Sequence, residues 1–196
     1  MENLFVGLIG VLLGHYMTIR LATKKANLQK RAFYFELEIL LEKYKVDLVH
    51  KYNDFINPVK DEYIIGAPVI DMSLINALMV ELAGTEKVLN QEIRKLIIHT
   101  SKFSEDLLIT AKERESYNKV NSQNTEEFLK LTKKMLIEEV QLVFFLYKLI
   151  RDKDQFIFGE YKLLEMAKVA CNVADIGFDK QIWQKIMPSS TDGLEA

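Results

Sequence analysis

Asp47-Leu-Val-His50 is the one place where an acid precedes a histidine by three residues. On a helix that spacing puts both side chains on one face, and a di-iron carboxylate site in a helical bundle needs two such pairs plus two further inward glutamates. His15 and His99 have no acid at that distance, so the set is incomplete and no metal ligand is assigned. His50 also stands one turn from Asp54, a spacing that can couple an acid to a base but on exposed helices is commonly surface decoration. Cys171, the only cysteine, cannot form an internal disulfide, and within "EMAKVACNVADI" it reads as a small buried hydrophobe in a reducing compartment. No phosphate-cradling glycine loop, G-x-S-x-G, H-E-x-x-H or C-x-x-C occurs. No catalytic residue and no cofactor is therefore assigned. A site made of Asp, Glu, Lys or Tyr stays open.

Charge narrows the partners. Lys and Arg number 26 against 28 Asp and Glu, a net charge of −2, which gives no broad basic field for nucleic acid. Lys130, Lys133 and Lys134 alternate with Glu126, Glu127, Glu138 and Glu139, the pattern of a solvated helix face. Aromatic residues fall among aliphatic ones at core spacing and offer no stacking platform. A nucleic-acid partner is not expected.

With 3 Pro and 8 Gly in 196 residues, the elements that carry these side chains are helices. From Asn3 to Ile19 there is no charged residue, and with Arg20 reaching outward the apolar stretch extends to Ala22. About 20 residues at ~1.5 Å each span ~30 Å, and the summed insertion energy of nine Leu, Ile, Phe and Val is about −3 to −5 kcal/mol before Gly, His15 and Tyr16 are deducted. Residues 1–22 are therefore expected to be a transmembrane anchor. A cleaved signal needs positive charge before the apolar run and an A-x-A-like pair of small residues after it, and neither is present.

Arg20, Lys24, Lys25, Lys30 and Arg31 form a basic cluster, with no acid from Asn3 to Phe35. The positive-inside rule then places the N-terminus outside and the rest in the cytoplasm of a plasma or bacterial inner membrane. The same cluster can hold the chain against anionic lipid headgroups. Gly7, Gly10, Gly14, Thr18 and Ala22 share one helix face, and Gly10 to Gly14 is a GxxxG, so this stripe is the expected surface for self-association in the membrane.

Residues 23–187 read as a cytoplasmic bundle, and 188–196 as a flexible polar tail. No Gly or Pro lies between His15 and Ile56, so the first helix continues until Asn57-Pro58 stops it. Phe33, Leu37, Leu41, Tyr44, Leu48, Tyr52 and Phe55 form its buried stripe, with Glu38, Glu42, Lys43, Lys45 and Lys51 between them. A second helix capped by Asp71 or Ser73 is expected to run to about Glu115, with Gly84 as a kink. A third starts near Asn124-Thr125-Glu126-Glu127 and carries "VQLVFFLYKLI". A fourth covers about 160–175 and ends by Gly177, and Trp183 lies on a short amphipathic turn. The expected fold is all-α, an N-terminal transmembrane helix continuing into an antiparallel bundle of about four long helices.

Two functions of different class follow. The first is a single-pass membrane protein whose bundle self-associates and binds an unknown protein partner, as scaffold, sensor or membrane component of a defence or toxin system. The alternative is a soluble all-helical protein, an enzyme with a carboxylate- or Tyr-based site included, whose apolar N-terminal helix is buried. Permeabilisation of a membrane by the N-terminal helix is the weaker third, because that helix offers no water-lined side.

Overall fold

The computed structural model describes residues 2–57, 66–85, 87–120 and 125–187, with the side chains of 2–8, 117–120 and 125 outside that description. Among the described residues the chain is all-α and has no strand. Three long helices, α1 (Glu2–Ile56), α3 (Gln91–Val120) and α4 (Thr125–Asp152), are joined by the shorter α2 (Ser73–Ala83), α5 (Leu163–Val173) and α6 (Lys180–Ile186). A 3-10 turn, Lys153–Gln155, closes α4.

The expected second helix is two helices. Gly84 ends α2, Thr85 Oγ1 donates to the Leu82 carbonyl at 3.0 Å, and Asn90 starts α3 by accepting from the Ile93 N–H at 2.8 Å. A residue whose side chain can cap a new helix converts what sequence alone reads as a kink into a break. Asn90 also donates to the carbonyls of Asp154 and Phe156, tying the start of α3 to the end of α4. At the other end of the chain α5 stops before Gly177, because Asp175 takes the left-handed conformation (φ 54°) and the Ile176 N–H closes on the Cys171 carbonyl at 2.8 Å. Asp179 caps α6 by accepting from the N–H groups of Gln181 and Ile182.

Helix α4 is the centre of the fold, packing on α1, α3 and α5. Lys30 at the middle of α1 pairs with Asp154, just beyond the end of α4, at 2.6 Å, and Lys133 near the start of α4 lies over the Phe55 ring at the C-terminal end of α1, so α1 and α4 run antiparallel. Tyr44 meets Ser104 and Asp54 meets Arg114, which sets α3 parallel to α1. Leu37, Leu48, Leu96, Met135, Val143 and Leu146 are fully or almost fully buried between these helices. Trp183 closes the core by stacking on Tyr52, with ring centroids 5.7 Å apart. Cys171 is buried here too, and burial pushes its thiol up to about 11.

The expected membrane anchor is corrected. Among the described residues no helix is long and apolar enough to cross a membrane, which overturns the single-pass location with N-terminus out and bundle in the cytoplasm. The uncharged run of α1 is Asn3 to Ile19, a rise of about 25 Å before Arg20, against the ~30 Å of a bilayer core. Nor is this segment buried, as the alternative supposed. Every residue from Ile9 to Ala22 is exposed, and Ala26 is the first described residue of α1 to enter the core. Helix α1 passes unbroken through the expected boundary at 22/23. The tail 188–196 lies outside the described residues.

Candidate functional site

Inside the bundle the three long helices bring charged residues together where the apolar stripes would continue. On α1, Asp47 and Lys51 are one turn apart, both buried, with Lys51 Nζ 2.8 Å from Asp47 Oδ1 and 3.4 Å from the Gly66 carbonyl oxygen. On α3, Arg114 is fully buried, donating from Nη2 to Asp54 Oδ2 at 2.9 Å and from Nη1 to Thr132 Oγ1 at 3.4 Å. Its guanidinium lies 5.1 Å from the Phe128 ring centre. On α4, Glu139 is fully buried, and its carboxyl meets that of Asp47.

The donors within reach bear on the state of these carboxyls. Lys51 pairs with Asp47 and Arg114 with Asp54, and Glu139 is the third acid of the group. Asp47 Oδ2 and both oxygens of Glu139 have no donor among the described groups. Two ionised carboxylates cannot satisfy one another, whereas a proton on Glu139 makes their contact a hydrogen bond. Burial, reinforced by the charge and hydrogen bond of Asp47 and only partly opposed by Lys51 and Arg114, holds the Glu139 carboxyl well above its ordinary value.

Tyr44 borders this group. Its hydroxyl is 2.5 Å from Ser104 Oγ, which donates to the Thr100 carbonyl at 2.7 Å, and burial pushes the phenol up to about 12. The arrangement can hold a proton among buried groups. None of the described cavities is lined by Asp47, Glu139 or Tyr44. Among the described residues no group of three or more His, Cys, Asp or Glu is placed to hold a metal ion.

Sequence reading missed this cluster and assigned two of its members to solvent. Lys51 and Glu139, read as polar-face residues, are both fully buried. The signal was their register, for Lys51 follows Tyr44 and Leu48 at steps of four and three, and Glu139 follows Met135 at four. The expected coupling of Asp54 to His50 gives way to Arg114, which comes from a different helix.

The other expected sites lie on the outer part of α1. Gly10 and Gly14 face open space, Thr18 Oγ1 bonds back to the Gly14 carbonyl at 2.8 Å, and Ala22 borders a cleft of about 220 Å³ with Gly84 and Thr85. Gly7 lies outside the described side chains. The basic cluster is divided, with Arg20, Lys24, Lys25 and Arg31 exposed and Lys30 bound to Asp154, which also accepts from the Tyr34 hydroxyl at 3.3 Å. No family model, no curated protein and no solved structure matches this chain.

Proposed function

We propose that the protein acts by binding protein through the outward face of α1, with the bundle holding that helix in place. One observation carries this reading. On the side of α1 turned away from the core, Leu21 (66%), Leu28 (55%), Phe35 (59%) and Val46 (57%) stand exposed along one line. Scattered surface apolar residues need no explanation, but a contiguous stripe is a mark of an interaction surface. Part of it forms an open groove of about 830 Å³ beside Pro68.

A photo-crosslinking residue in place of Leu28, with Ile157 as an equally exposed control (68%), tests it in cells expressing the protein. Adducts at Leu28 well above those at Ile157 are expected. Equal labelling at the two positions sinks the reading.

The all-helical alternative with a carboxylate-based site is favoured by one separate observation, the buried Asp47 and Glu139 pair with its unmatched oxygens. Catalysis there needs a path for substrate. Treatment of the native chain with a small carbodiimide and amine, read by mass spectrometry, supports that second reading if Glu139 is labelled, and removes it if labelling waits for unfolding.

A further inference from the structure

The outward stripe of α1 has more order than apolarity alone. Lys25, Ala32, Ile39 and Glu42 fill the gaps between its exposed apolar residues, so that the line from Leu21 to Val46 advances by alternating steps of four and three. All are exposed among the described residues. A period of 3.5 keeps one face of a helix against another helix in a left-handed supercoil. The stripe thus specifies a helix as its occupant, and its two charges specify which helix.

We propose that this occupant is the α1 of a second copy, the two helices packing antiparallel about a two-fold axis between residues 33 and 34. This deepens the binding reading above and rests on it. With that axis, Lys25 of one copy faces Glu42 of the other, and by symmetry Glu42 faces Lys25. The small Ala32 faces the large Phe35, Leu28 faces Ile39 and Leu21 faces Val46. Outside the seam Arg31 faces Glu38, while Lys24 meets Lys45 at the exposed rim. No other simple register does this. A shift of one heptad sets Lys25 against Phe35 in one direction and Val49 in the other. A parallel pair in register sets Lys25 against Lys25 and Glu42 against Glu42, and like charges in apposition suppress that arrangement.

The groove described above agrees with this docking. It is lined by Phe35, Ile39, Glu42 and Val46, the half of the stripe that receives Ala32, Leu28, Lys25 and Leu21 of the partner. Leu21, Leu28, Phe35, Ile39 and Val46 are between 38% and 66% exposed. They offer roughly 500 Å² of apolar surface per chain, and the stems of the flanking charged residues bring the contact toward the ~800 Å² per partner of a standard interface.

The test uses the purified full chain. Sedimentation equilibrium is expected to show a dimer, with Lys25→Glu weakening it at least tenfold and the double exchange Lys25→Glu with Glu42→Lys restoring it. Under mild oxidation a mixture of Leu28→Cys and Ile39→Cys chains is expected to cross-link, while neither alone does. Circular dichroism confirms that these surface variants fold. A monomer at all concentrations, cross-linking of Leu28→Cys with itself, or a dimer indifferent to Lys25→Glu overturns the proposal. A monomer that still gives photo-adducts to another protein at Leu28 overturns only the self-pairing. Absence of any such adduct overturns the binding reading with it.

Discussion

The two faces of α1 are built from the same kinds of residue at the same steps, and only one of them is covered. The inner face, through Phe33, Leu37, Tyr44 and Leu48, is fully buried against the rest of the bundle. The outer face, through Leu28, Phe35 and Val46, is more than half exposed. What separates them is the charge each one carries. Asp47 and Lys51 on the inner side are paired within the chain, whereas Lys25 on the outer side meets no ion-pair partner among the described residues and the exposed Glu42 is bridged to the half-buried Lys45. On the reading proposed above, the helix holds one apolar face for folding and another for association.

Substitutions can break this contrast, beginning with the inner charges. Lys51→Met leaves buried carboxyls without their cation and is expected to cost about 3–5 kcal/mol in urea unfolding. Leu37→Ala opens a cavity in the core and is expected to cost about 2–5 kcal/mol, as a large shift of the unfolding midpoint at unchanged slope.

Glu139→Gln sharpens the comparison through pH. The folded chain keeps the proton on Glu139 at pH values where an unfolded glutamate, ordinary value 4.5, has lost it. The folded state then binds more protons, so stability falls as pH rises above about 4.5, by up to ~1.4 kcal/mol per unit, until the raised native value is passed. Unfolding at pH 5 and pH 8 should show that slope in the natural chain and lose it in Glu139→Gln, with Asp47, Lys51 and Arg114 unchanged around it. An equal slope in both chains removes the shared proton.

Tyr44→Phe deletes the hydroxyl bound to Ser104 while Ser104 keeps its bond to the Thr100 carbonyl, and should cost about 0.5–1.5 kcal/mol. Smallest of all is Phe35→Ser. In a dilution at which the chain is single, its stability should stay within about 0.5 kcal/mol of the natural value. A loss as large as that of Leu37→Ala would show that the outer face is folded against something within the chain.

The same contrast explains what could be read from residues alone. Helix ends were legible where the chain itself signals them: α1 ends at Ile56, Thr125 opens α4, and Trp183 lies on the short α6. The break at Gly84 to Asn90 was not, because a glycine reads alike as kink and terminus until the cap of Asn90 is seen. Burial of Lys51, Arg114 and Glu139 was illegible for a different reason. Charge sends a side chain to solvent by default, and the partners that reverse this come from helices far apart in the sequence. Exposure of residues 9–22 was missed because an apolar run has no mark of its own that tells a buried helix from an uncovered one.

The antiparallel seating of α1 on α4 also sets a timetable for synthesis. The inner face of α1 cannot be covered by α4 until α4 has been made, and the ~100 residues between Tyr52 and Asp152 take about 5–20 s at ~5–20 residues per second. Throughout that interval a nascent chain presents two apolar faces on its longest helix. One of those faces is α4's future berth, so this is the period in which neighbouring chains or a chaperone can claim it.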